Sequence, residues 1–290
     1  MTQRTATLVG FTAILMWSLL ALLTAASGRM PPFQLLAVTF LIGGLLGAAT
    51  WVLRPGAASA LRQPWPVWLL GIGGLFGYHA LYFTALRLAP PAEAGLINYL
   101  WPLLIVLFSS FVLSERLRAH HLVGALLGLV GTAVLLAGRA EIGFSATFIP
   151  GYGAAFVAAF VWAIYSVASR KFAAVPSDAV VGFCLVTALI GALCHLLFEQ
   201  TVWPDHAGEW LAILALGAAP VGAAFYVWDY GVKHGDIQAI GASAYAAPLL
   251  STGVLILAGY AVPTLAIAGA AVLIAGGAAL AAKDVFRRKA

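Results

Sequence analysis

Trp162, Tyr165, Ser166 and Ser169 follow one another at i, i+3, i+4 and i+7 within a single apolar stretch. That spacing puts an indole and three hydroxyls on one face of a helix. Five other apolar stretches carry similar side chains. Trp17 and Ser18 stand in the first, and Tyr78, His79 and Tyr82 share a sector of about 100° in the third. Asn98, Tyr99 and Trp101 precede Pro102, Ser243 and Tyr245 precede Pro248, and Phe225 and Trp228 lie between them in sequence. Aromatic faces stack on flat apolar groups and attract an ammonium, at about 0.5–2 kcal/mol per contact. Hydroxyl, amide and imidazole groups add donors for a carboxylate. This is the chemistry of binding rather than of bond making. The chain has no HExxH, G-x-S-x-G, phosphate loop or Cys/His metal cluster, and no carboxylate is placed to orient His79. An enzyme is therefore the disfavoured class, and neither a cofactor nor a metal is expected.

Packing readings stand beside these. Ser166 and Ser169 can bond back to the preceding turn, and the tyrosines can fill helix interfaces. His79 can be a neutral imidazole bonded to a neighbouring helix. It is still the only histidine far from a helix end, and an ionisable group at membrane depth is by default a candidate for function. Asn98 is the only asparagine, and a buried amide needs a partner. Asp229 can couple or pair with a substrate ammonium, but its position four residues before Lys233 suits an interfacial ion pair. Glu93 opens a helix, where the terminal dipole stabilises a carboxylate.

The elements that position these residues follow from composition. Hydrophobic residues make up 63% of the 290 and charged ones 9%, and mean hydropathy is +1.00. A soluble domain carries about 25% charge. Continuous runs rich in Leu, Ala, Gly and Val argue for membrane-spanning helices rather than a barrel. The pattern predicts ten: 6–27, 33–53, 66–87, 91–113, 121–138, 150–171, 178–198, 210–232, 237–259 and 264–282. Pro, Gly and charge mark the short connections, as in Arg54-Pro55-Gly56 and Val175-Pro176-Ser177-Asp178. Cys184 and Cys194 share one apolar segment and read as packing residues.

The chain is also a repeat, 1–145 and 146–290, with five predicted helices in each half. An offset of 145 carries Phe11 and Trp17 onto Phe156 and Trp162, Gly124 onto Gly269 and Gly131 onto Gly276. An offset of 146 carries Gly95, Tyr99 and Pro102 onto Gly241, Tyr245 and Pro248. A unit with an odd number of crossings re-enters the bilayer from the other side, so the second copy is expected to be inverted around a central site. Proline removes a backbone donor and crowds the preceding turn, so Pro102 and Pro248 are expected to act as paired hinges, with a packing kink as the alternative.

Lys and Arg fall twelve to three between the two sets of loops. The richer set holds both termini, which predicts that both face the cytoplasm. The basic pI of 9.4 is thus a topology signal and gives no reason to expect a nucleic-acid partner. Gly43-x3-Gly47 and Gly73-x3-Gly77 are small-residue pairs suited to close helix contacts within or between copies, and the expected unit is a monomer in the lipid bilayer.

Tryptophan in helices 1 and 6, and Ser114-Glu115-Arg116-Leu117 followed by Gly124-x6-Gly131, resemble the drug/metabolite transporter superfamily, in its EamA-type branch. The resemblance covers nearly the whole chain. The aromatic-rich helices 3 and 4 look similar to those of its bacterial aromatic amino-acid exporters. One departure is Tyr260, where the first copy has Glu115. The resemblance implies an inner-membrane secondary transporter working by alternating access. Few fixed charges in the helices fit an aromatic or bulky neutral amino acid. Export of another small metabolite or drug by proton antiport stays open.

Overall fold

In the computed structural model, described over residues 2–54, 56–113, 116–138 and 142–284, the chain is helical throughout, with no strand among the described residues. Among the described residues nine helices are long and apolar enough to cross a membrane: α1 (Gln3–Ala26), α2 (Pro32–Leu53), α3 (Trp65–Leu88), α4 (Pro91–Leu113), α5 (Ala119–Ala137), α6 (Ala146–Lys171), α7 (Ser177–Phe198), α8 (Ala207–His234) and α9 (Ile237–Leu257). The tenth, α10 (Leu265–Ala281), is a shorter apolar helix. Helices satisfy every backbone group internally, which is why continuous apolar runs of this length fold as they do. Ser114 and Glu115, which the sequence places in the turn after α4, lie outside the described residues.

Helix ends are set by local chemistry. Pro32 and Pro91 stand in the first turns of α2 and α4, where the missing N–H costs nothing. Asp236 caps α9 by accepting from the Ala239 N–H at 3.0 Å. The start of α2 is capped from far along the chain, because the Glu199 carboxylate accepts from the Phe33 and Gln34 N–H groups at 3.1 Å. Arg87 and His195 hold that carboxylate from its other sides. Glu199→Ala would leave buried donors unpaired and should cost about 2 kcal/mol or more. The expected result is a melting midpoint in detergent several degrees lower, with Arg87→Ala milder because Arg87 is half exposed. Glu93 is likewise tertiary. It accepts from the Gly143 N–H at 2.9 Å and from the Tyr152 hydroxyl, tying α4 to α6 and to the segment before it.

Packing pairs α5 with α10, α2 with α7, α1 with α8, and α3 with α6; α4 meets both α6 and α9, and α1 also meets α9. Exchanging every helix for its counterpart five places along leaves these pairs unchanged, whereas the contacts of α6 with α8 and of α5 with α9 have no counterpart of similar extent. Small residues allow the closest approaches. A Cβ on Gly124 would lie 2.5 Å from the Gly277 carbonyl, and one on Gly43 would lie 2.7 Å from the Gly222 Cα. Gly43 and Gly47 therefore serve contacts inside the chain, whereas Gly73 faces open space. Gly269 and Gly276, the partners expected at offset 145, also face open space. Gly277 does the packing instead, so offset 146 is the one that matches α5 to α10.

Irregularities recur in both halves, the π-helical turns at offset 146 and the helix breaks at offset 145. π-helical turns occupy Gly73–Gly77 in α3 and Ala219–Ala223 in α8. The regular helix is interrupted at Tyr99–Leu100 in α4 and at Ala244–Tyr245 in α9. Each interruption lies one turn before the proline, as expected where a proline ring crowds the carbonyl four residues back. A milder break at Ser18–Leu19 in α1 has no proline behind it, and its counterpart α6 runs unbroken from Ile149 to Lys171. Pro102→Ala, which would restore the backbone bond, is expected to slow turnover several-fold while ligand affinity stays within about twofold. Equal losses in both would mark the kink as packing alone.

Candidate functional site

Four tryptophans from four helices meet where the two halves join. Trp17 of α1 packs against Trp228 of α8 at 4.9 Å between ring centroids, Trp162 of α6 at 5.8 Å and Trp101 of α4 at 6.2 Å. Trp162 stacks on Trp228 at 6.0 Å, and Trp101 meets both of them edge-on. The cluster continues through Tyr78, 5.2 Å from Trp162, to Tyr82, stacked on Tyr78 at 5.9 Å. Phe225 joins from α8 and stacks on Phe40 of α2 at 5.4 Å. Phe40 was invisible as a site residue in the sequence, although it also meets His79 edge-on at 5.2 Å.

Polar groups fix this cluster in place. The Trp17 indole N–H donates to the Pro220 carbonyl at 3.1 Å, inside the π-helical turn of α8. The Trp228 indole N–H donates to the Ser166 hydroxyl at 3.1 Å. Asn98 donates to the Tyr78 hydroxyl at 2.9 Å, and its own side-chain carbonyl is buried without a hydrogen bond. That carbonyl is an acceptor ready for a donor. His79 bonds through Nδ1 to the Leu75 carbonyl at 2.6 Å, in the π-helical turn of its own helix and not on a neighbouring one. Since a carbonyl only accepts, Nδ1 carries the proton, and a neutral ring presents its acceptor at Nε2.

Several expected members stand elsewhere. Tyr245 is fully buried against Val106, Leu135 and Ile274, and its ring lies over Gly128, so it faces α5 and α10 rather than the tryptophans. Tyr99 packs at the edge of that same cluster. Both tyrosines mark the helix breaks instead. Ser18 is turned back to the Leu15 carbonyl, as the packing alternative allows. Ser243 is buried in the short first part of α9. Tyr165 lies against Trp162 at 5.3 Å, with its hydroxyl beside Ser169 but closing no hydrogen bond. Asp229 and Lys233 do pair, at 2.8 Å, yet both side chains are buried, at 2% and 4% exposure, so the interfacial expectation is corrected. Packing of the loop before α7 over the end of α8 removes them from solvent.

The two ends of the bundle differ. Towards the end that holds the N-terminus the helices are sealed. A Cβ on Gly231 would lie 2.5 Å from the Gly10 Cα, the Asp236 N–H donates to the Thr7 hydroxyl at 2.8 Å, and Arg170 donates to the Gly235 carbonyl at 2.7 Å. Trp101, Trp162, Tyr165, Ser166 and Trp228 are all buried. Towards the other end, Tyr78, His79 and Tyr82 are only half-buried.

His120, His121 and Asp284, at the start of α5 and just past α10, are grouped closely enough to be considered for a metal ion. Arg118 already pairs with the Asp284 carboxylate, and His120 lies 3.2 Å from it. Partial burial pushes that carboxyl up, but Arg118, His120 and Lys283 outweigh it and hold it below its usual range. A guanidinium on the Asp284 carboxylate opposes a cation there.

Comparison with known proteins places this geometry in a lineage. The chain is 60% identical over 282 residues, 97% of this chain and 98% of the relative, to the aromatic amino acid exporter YddG of Ancylobacter novellus. It is 28% identical to the protein of the same name from Escherichia coli, over 87% of this chain and 88% of that one. The pseudopaline exporter CntI of Pseudomonas aeruginosa is 25% identical over 76% of each chain. A solved crystal structure superposes with a TM-score of 0.95 at 58% identity, covering 100% of both chains. The EamA-like transporter family matches twice, at residues 4–137 and 149–282, and the chain belongs to that family as a multi-pass membrane protein.

Proposed function

We propose that the protein exports aromatic and other bulky neutral amino acids across the bacterial inner membrane by alternating access. The observation that carries the reading is the cage of Trp17, Trp101, Trp162 and Trp228, drawn from both halves and opened towards Tyr78, His79 and Tyr82. An aromatic side chain finds ring faces on several sides. The free carbonyl of Asn98 and the rings of the cage suit an ammonium, and the hydroxyls of Tyr78 and Tyr82 suit a carboxylate. The relatives' names point the same way.

The chain forms ten crossings in this reading, as two inverted five-helix repeats with both termini in the cytoplasm. The double family match, the exchange symmetry of helix pairs and the twelve-to-three distribution of Lys and Arg support it. The sealed end is then the cytoplasmic one, and the half-buried tyrosines face outwards. Counterflow of phenylalanine, tryptophan and leucine in proteoliposomes tests the substrate class, run with and without a pH gradient. Uptake unaffected by the gradient marks export down the substrate's own gradient, and uptake that follows it marks proton antiport. No amino-acid uptake at all rejects the proposal.

A further inference from the structure

Asp229 and Lys233 are the last charged residues before the tryptophan cage on the sealed side, and the reading above leaves them unused. Asp229 directly follows Trp228. Its carboxylate accepts from Lys233 at 2.8 Å and from the Ser177 hydroxyl at 2.6 Å. Lys233 also donates to the Val175 carbonyl at 3.0 Å. Lys233 thus grips the connection between α6 and α7, and Asp229 the first residue of α7. The pair lines a small cavity whose other walls include Val67, Phe172 and Phe183 on the apolar side and Tyr165 and Ser169 on the polar side. Tyr165 borders this cavity and touches Trp162 as well, so one ring separates the cavity from the cage.

A buried ion pair is a poor device for stability, since taking both charges out of water offsets most of their attraction. Its value here is chemical. An amino-acid zwitterion presents the same two charges, an ammonium and a carboxylate, within a few ångströms of each other. We infer that Asp229 and Lys233 form an entry subsite for the zwitterion as the sealed end opens, the ammonium going to Asp229 and the carboxylate to Lys233; the cavity, at about 10 Å³ with room for one water, must widen to take the side chain between Val67, Phe172 and Phe183. The exchange leaves no charge unpaired at any stage. It also releases Val175 and Ser177, so that loading the subsite frees the α6–α7 connection from α8. Entry of substrate and opening of the sealed end become one event. This inference rests on the amino-acid reading of the protein.

The test uses the full chain in proteoliposomes, with substrate offered either to the face that carries the termini or to the opposite face. Phenylalanine is compared with phenethylamine, which lacks the carboxylate, and 3-phenylpropionate, which lacks the ammonium. At the terminus-bearing face, Lys233→Met is expected to raise the phenylalanine KM at least tenfold and to leave competition by phenethylamine unchanged. Asp229→Asn should do the same while sparing 3-phenylpropionate. The paired replacement Asp229→Leu with Lys233→Met removes both charges and is expected to fold, because apolar pairs replace buried ion pairs at little cost. It should lose the preference for the zwitterion at that face and keep the wild-type KM at the other. A retained preference in this variant overturns the inference, as does an equal loss for all three compounds at both faces. Wild-type protein that carries no amino acid from either face instead rejects the function proposed above, and the subsite falls with it.

Discussion

Trp162→Ala is expected to raise the KM for phenylalanine by roughly ten- to a hundredfold and to leave little counterflow at low substrate. The indole touches six other rings, those of Trp17, Trp101, Trp228, Phe225, Tyr78 and Tyr165, all within 6.3 Å between centroids. A ligand ring seated in the cage would lose one ring face and the positions of its neighbours together. About 1.4–2.8 kcal/mol of lost contact corresponds to that range. The same truncation also removes a buried side chain and should cost about 3–5 kcal/mol of stability. Two measurements separate the effects: counterflow across a range of phenylalanine concentrations, and the melting midpoint with and without ligand. Trp162→Phe keeps a ring face and most of the volume, so it should recover most of the affinity. A Trp162→Ala protein that folds and transports with the wild-type KM would remove the cage from the substrate path.

Much of this architecture was legible in the chain because the bilayer is a demanding solvent. The stretch 91–113 was read with the bounds the structure gives, since Pro91 starts the helix and apolar residues fill it. Both prolines announced their breaks, though the chain yields one turn earlier, where the carbonyl is crowded. Trp17 and Trp162 stood out through the repeat and do meet. Tyr245 shows why the rest was hidden. A tyrosine in a membrane helix has the same sequence signature whether it faces a cavity or, as here, a glycine on another helix. Phe40 was missed for the converse reason, being one apolar residue in an apolar run. The i,i+4 spacing of Asp229 and Lys233 gave their pairing correctly but contained nothing about the loop that buries them. Glu199 just after α7 carries no local sign of its role, since its capping of α2 is a contact across 166 residues of chain.

The division between shared and unshared features has a physical sense. The π-helical turns of α3 and α8 and the breaks of α4 and α9 recur in both halves. These are backbone devices, and they govern how helices move against one another. His79, Asn98 and Trp101 have no counterpart in the second half, and the Asp229–Lys233 pair has none in the first. Polar recognition is therefore asymmetric along the proposed path, with a charged pair on the sealed side and neutral groups on the other. An exporter needs that kind of difference, because its substrate is captured from one face and released to the other.

Gly231→Ala tests the moving part. At this crossing α1 and α8 approach so closely that the added methyl would sit 2.5 Å from the Gly10 Cα and 3.1 Å from the Gly10 nitrogen. Both are backbone atoms, which cannot rotate away as a side chain can, so the helices must part. Gly10→Ala meets the flexible Ile240 Cδ1 at 2.8 Å and the Gly231 Cα only at 3.1 Å, and is expected to be milder. If sealing this end is half of the transport cycle, Gly231→Ala should cut turnover by about tenfold or more while the cage still binds substrate. A single cysteine at Thr7, beside the crossing, should label faster with a membrane-impermeant thiol reagent from the terminus-bearing face in Gly231→Ala than in the parent, in a background free of Cys184 and Cys194. The effect depends on geometry alone and holds whatever the substrate. Wild-type turnover together with unchanged labelling would mean that the Gly10–Gly231 crossing is fixed packing, and that the end of the bundle carrying the N-terminus opens by some other pair of helices.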